Sequence, residues 1–158
     1  MTSSTSIEIV RLLHCYIARL SHCYIAALIY SYIVTLKNYK LESVKCYKTS
    51  KELGNYVYVL VRKWSILDQK TTGQQVIRSI DSIAANIAEG FGRFHKKDKI
   101  KFFYNARAST YESAHWMNVA LERKLVSKDQ YEGVMSSLRL LPKEINYLIK
   151  MTQNNLTI

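Results

Sequence analysis

Apolar side chains recur at helical intervals from residue 48 onward. Leu53, Val57, Leu60, Trp64 and Leu67 step by four and three, which marks one stripe of an amphipathic helix. Lys70-Thr-Thr-Gly73 reads as a turn. A second helix is predicted over residues 74–93, with Val76, Ile77, Ile80, Ile83, Ala84, Ile87, Ala88 and Phe91 as its apolar positions and a frayed end at Gly90 and Gly92. The spacing predicts a third helix over residues 97–124 that turns Phe102, Phe103, Ala106, Ser109, Thr110, Ser113, Trp116, Met117, Ala120 and Leu121 inward. Ser127 is placed to cap a fourth, in which Tyr131, Val134, Leu138, Leu141, Ile145 and Leu148 repeat by three and four. Pro142 falls inside that run and should kink it near Leu138, because it removes one backbone donor. No strand pattern competes. Four amphipathic helices with short links predict an all-α, antiparallel up-down-up-down four-helix bundle over residues 47–154.

Residues 1–46 have a different character. His14-Cys-Tyr-Ile-Ala-Arg-Leu-Ser is followed by His22-Cys-Tyr-Ile-Ala-Ala-Leu-Ile and then by Tyr30-Ser-Tyr-Ile-Val-Thr-Leu-Lys, with a decayed copy after Asn38. A period of about eight residues fits no common solenoid and would spiral around a helix instead of forming a stripe. The expected origin is a short tandem DNA repeat read through from an upstream start, giving an atypical N-terminal extension outside the core fold. The run from Leu20 to Leu36 carries no Lys, Arg, Asp or Glu and makes a membrane anchor the competing reading. At about 17 residues it sits at the lower edge of a span, and its polar His22, Ser21 and Ser31 weigh against insertion. No signal-peptide layout accompanies it.

One proline, five glycines and 48% apolar residues fit few turns, long elements and a buried core. The three cysteines, Cys15, Cys23 and Cys46, make an odd number without a C-x-x-C, so reduced thiols in a cytoplasmic protein are expected. The His14-Cys15 and His22-Cys23 pairs lack the loop spacing of a zinc site. Glu112-Ser-Ala-His115 matches the Glu-x-x-His of di-iron bundles once, and a second copy is missing. Phosphate-loop, dinucleotide, zinc-protease and nucleophile-elbow motifs are also missing. No catalytic residue, metal or cofactor is therefore expected.

The charge adds a partner class. With 23 basic against 12 acidic residues the net charge is +11, which points to nucleic acid, an anionic membrane surface or an acidic protein. Arg93, Lys96, Lys97, Lys99 and Lys101 cluster where the second helix meets the third, offset only by Asp98. Cations at a helix start oppose the macrodipole, which argues for a use beyond helix stability. Phosphate contact is the chemistry that such a cluster offers.

Ser79-Ile-Asp-Ser-Ile-Ala-Ala-Asn-Ile-Ala-Glu-Gly-Phe-Gly-Arg93 is rich in small residues that allow a neighbouring helix to approach closely. Asn86 and Glu89 within it need polar partners if buried. In a hairpin turning near His95, antiparallel positions sum to about 190. Arg78 then faces Glu112, Ser82 faces Ala108, Asn86 faces Tyr104 and Glu89 faces Lys101, and the Arg78–Glu112 pair would fix the register.

The motif carried by Ser82, Asn86, Ile87, Ala88, Glu89, Gly90, Gly92 and Arg93, followed by Ala106, Arg107, Ser109 and Glu112, resembles the bacterial four-helix-bundle proteins encoded in intervening sequences of 23S ribosomal RNA genes. It is also similar to the accessory variability determinants of diversity-generating retroelements. The resemblance spans residues 47–152. Ala108 stands where the family usually has Gly, and a Phe-Pro link after the first helix is missing. The resemblance implies a homopentameric barrel of bundles that binds RNA or DNA, with no known enzymatic activity; of the two nucleic acids, RNA is the expected partner. It makes Arg78, Ser82, Asn86, Glu89, Gly90, Arg107, Ser109 and Glu112 structural. Rival expectations are a protein-interaction scaffold, such as an accessory subunit of a reverse transcriptase, and a membrane-tethered bundle.

Overall fold

The computed structural model describes residues 41–155. The repeats of residues 14–37, the anchor reading of residues 20–36, and Cys15 and Cys23 all lie outside the described residues. Four long helices occur among those described: α1 (Lys45–Val61), α2 (Gln74–Gly92), α3 (Lys96–Glu122) and α4 (Lys128–Asn155). Neighbours in sequence pack as neighbours in space, and α1 closes against both α2 and α4, giving the up-down-up-down bundle.

The core is one cluster. Val57 of α1, Val76, Ile80, Ile83 and Ile87 of α2, Phe103, Ala106 and Met117 of α3, and Val134, Leu141 and Ile145 of α4 are essentially inaccessible. Each large apolar side chain buried this way contributes about 1.5–3 kcal/mol. Leu41 and Cys46 belong to the same cluster, so the bundle begins before residue 47.

The α1 stripe ends sooner than its spacing suggests. Leu67 is 72% exposed and Trp64 half-buried, because the helix stops at Val61 and the chain turns at Ser65. Ser65 caps the next helical turn, its Oγ accepting from the Asp68 N–H at 3.2 Å. Gln69 holds the corner, its Nε2 donating to Trp64 O at 2.8 Å and to Arg62 O at 3.2 Å. Lys70-Thr-Thr-Gly73 is thus no turn between helices. Residues 69–73 form a π-helical turn that runs without a break into α2. A Cβ on Gly73 would lie 2.6 Å from Val61 Cγ1, so only glycine lets this turn pass α1.

The α4 start is a reciprocal capping box. Gln130 N–H donates to Ser127 Oγ at 3.2 Å, and Ser127 N–H donates to Gln130 Oε1 at 2.9 Å. Helix α4 then runs through Pro142 as one element.

Candidate nucleic-acid interface and the latch beneath it

The polar residues of the α2–α3 segment look after themselves. Ser82 Oγ donates to Arg78 O at 2.7 Å, and Asn86 Nδ2 donates to Ser82 O at 2.7 Å. On α3, Ser109 Oγ donates to Asn105 O at 3.1 Å and Ser113 Oγ to Ser109 O at 2.7 Å. Each side chain bonds back to its own helix, so the polar group is satisfied and the surface stays low. Gly90 supplies the closest approach. A Cβ there would meet Phe103 Cε1 at 2.6 Å and the Lys99 carbonyl at 3.1 Å, whereas a Cβ on Gly92 would meet nothing within 4 Å.

The predicted cross-helix pair forms. Arg78 Nη2 lies 3.4 Å from Glu112 Oε1, but with side chains 67% and 43% exposed the pair is a surface contact, not a buried one. It fixes register without a large desolvation cost. Glu89, set opposite Lys101 by the same register, makes its ion pair elsewhere. Glu89 binds Arg93 one turn along its own helix, where the shorter reach favours it. Arg107 joins α3 to α4 by donating to Asn146 Oδ1 at 2.9 Å, and its guanidinium lies 5.0 Å from the Tyr104 ring.

The basic junction at the α2–α3 turn is less free than its sequence suggests. Arg93 is bound to Glu89 and stacks 4.5 Å from the Phe102 ring centroid. Lys96 donates to the Gln153 carbonyl, tying the start of α3 to the end of α4. Lys99 Nζ donates to Phe91 O at 3.2 Å, satisfying a carbonyl of the last α2 turn. Lys97 and Lys101 alone of the five are exposed with no partner among the described residues. Sequence spacing brought five cations together, and the fold commits three of them to helix ends.

Two further features escaped the sequence. Lys45 Nζ bonds Glu144 Oε1 at 2.9 Å, while Glu144 Oε2 is buried without a hydrogen-bond partner among the described residues. Burial, reinforced by the Glu144 carboxylate, pushes the Cys46 thiol up to about 11. Val44, Cys46, Phe91, Glu144, Leu148 and Met151 line a groove of about 670 Å³ between α1 and α4. Glu112 and His115 hold no metal-binding set: Glu112 serves Arg78, His115 packs edge-on against Trp116 at 5.1 Å, and no group of three or more His, Cys, Asp or Glu converges among the described residues.

The family model of the 23S rRNA-intervening sequence proteins matches residues 42–147. The chain belongs to this family. The match starts at the first described turn, Leu41–Ser43, and ends within α4. Among solved structures, a protein of unknown function from the S23 ribosomal protein family of Bacteroides thetaiotaomicron is similar, with a TM-score of 0.59 and 23% identity over 66% of this chain and 98% of that one. That likeness shows the shared helical fold. Nothing among the curated proteins matches. No helix among the described residues is long and apolar enough to cross a membrane.

Proposed function

We propose that this intervening-sequence protein is a non-enzymatic, cytoplasmic, self-associating bundle that binds structured RNA through phosphate contacts. The observation that carries the reading is an excess of cations, +11 over the chain, with Lys97 and Lys101 exposed and without a partner among the described residues, beside a turn where other cations already serve the fold. A lysine that closes no helix end and pairs with no carboxylate costs little to lend to a phosphate. Self-association, a pentamer by family resemblance, would repeat the patch and raise avidity without new contacts.

The test is fluorescence-anisotropy titration of the full chain against a structured RNA and a duplex DNA at two salt concentrations. Binding should weaken steeply with salt, and Lys97→Gln with Lys101→Gln should lower the salt slope by about 1.5. Salt-independent or undetectable binding to both would end the reading.

A second reading, a protein-interaction scaffold, is favoured by the α1–α4 groove and by Tyr147 and Met151 standing exposed on its rim. It predicts association that resists salt.

A further inference from the structure

We propose that the end of the bundle opposite the α2–α3 junction is a second phosphate-contacting surface, formed by Lys63, Lys70, Lys124 and Lys128. This inference rests on the nucleic-acid reading above and adds a place to it. The four lysines are spread along the chain, and the up-down-up-down topology gathers them. The α1–α2 corner carries Lys63 and Lys70, and the α3–α4 corner carries Lys124 and Lys128. The corners touch, since the Arg123 guanidinium donates to the Thr72 hydroxyl inside the π-helical turn.

The two ends differ in how their cations are used. At the junction three of five are bound to carbonyls, a carboxylate or a ring. At the far end all four lysines are exposed, and their ammonium groups have no hydrogen bond or ion pair among the described residues. Arg62 stacks 5.9 Å from the Tyr58 ring and lies at the same corner. The acidic residues there are Asp68, Glu122 and Asp129, and Asp68 is occupied by the Ser65 hydroxyl at 2.6 Å. The macrodipole accounts for Lys63 and Lys124, which follow helix C-termini, but opposes Lys128, which sits at a helix start.

Lys124 adds a second, independent sign. Its φ of 58° is the left-handed conformation at a helix end, where Leu125 N–H reaches Ala120 O at 2.9 Å and Lys124 N–H reaches Leu121 O at 2.9 Å. Glycine is the residue that this closure favours. A lysine there accepts backbone strain and holds its charge outward on a fixed backbone. Such a departure from the local rule fits a side chain that serves contact and not the fold.

The ligand class follows from the span. Helix α2, 19 residues at about 1.5 Å each, separates the two ends by about 28 Å. A polyanion with a charge roughly every 3.4 Å per strand can meet both ends within about eight nucleotides, and a mononucleotide cannot.

The experiment uses the full chain and an RNA hairpin of about 30 nucleotides, long enough for that span. It compares the wild type, the junction variant Lys97→Gln/Lys101→Gln, the far-end variant Lys63→Gln/Lys70→Gln/Lys124→Gln/Lys128→Gln, and Lys124→Gly alone. The far-end variant should lower the salt slope by about 3 and weaken binding roughly tenfold or more at moderate salt. Lys124→Gly should weaken binding while holding or raising the melting temperature, which separates lost contact from lost fold. A far-end variant that binds like the wild type, beside a weakened junction variant, overturns this inference and leaves the RNA reading standing. If no protein in the set binds the hairpin, both fall.

Discussion

The α2–α3 interface and the α1–α4 seam close in opposite ways. The first is built from residues that take up almost no room. Gly90 lies under Phe103, and the serines fold back onto their own helices. The second leaves a groove of about 670 Å³, a Glu144 carboxylate oxygen without a hydrogen-bond partner among the described residues, and a buried thiol. The difference teaches that a polar sequence can make the tighter contact. Small hydroxyl residues that satisfy themselves let backbones approach, while the longer groups at the seam border an open groove.

The largest expected contrast is in truncation. Phe103→Ala should cost about 3–5 kcal/mol in urea unfolding, because its site is fully enclosed. Leu148→Ala, half-buried on the open groove, should cost clearly less. Equal losses would erase the distinction.

Next comes pH. Cys46 has an ordinary value of 9.0 and is pushed up to about 11 in the fold. The folded state therefore holds the thiol proton more tightly than the unfolded chain does. Stability contributed by this group is fully present below pH 9, and it declines as pH rises from there to about 11. At most about 2–3 kcal/mol is at stake. The stability gap between the wild type and Cys46→Ala should narrow over that window in urea titrations, and a constant gap would place Cys46 in an ordinary environment.

Overpacking follows. Gly90→Ala should destabilise by about 1–3 kcal/mol, since Phe103 and the Lys99 backbone must both give way. Gly92→Ala, with open space around it, should stay within about 0.5 kcal/mol. Thermal melts of the two variants side by side would decide whether close approach or mere helix ending explains the glycines of the motif. The smallest effect belongs to the latch at the interface edge. A double-mutant cycle on Arg78 and Glu112 should give a coupling of about 0.2–1 kcal/mol that fades in high salt.

Much of this was legible beforehand, for definable reasons. The stripes of α2, α3 and α4 and the Ser127 cap follow from local spacing and capping chemistry, and the Arg78–Glu112 pair follows from one antiparallel register. The α1–α2 corner was misread because Lys-Thr-Thr-Gly is turn-like in composition. Gly73 is there for the close pass of α1, and Leu67 keeps the stripe's spacing after the helix has ended. The cationic junction was visible because its residues are adjacent in the chain. Their commitments to Glu89, Gln153 and Phe91 were not, because two of those partners are backbone carbonyls, which every residue has. The far-end lysines escaped because they are distant in sequence and meet only through topology.

Pro142 gives α4 a division that its unbroken outline conceals. It has no N–H to offer the Leu138 carbonyl, so the hydrogen-bond ladder lacks one rung at mid-helix. Amide exchange in the native state should therefore sort α4 into two cooperative units, with residues 143–155 opening at lower free energy than the half begun by the Ser127–Gln130 box. The helix that spans the whole length of the bundle would then breathe from its C-terminal end alone, on the side where Glu144, Leu148 and Met151 border the groove.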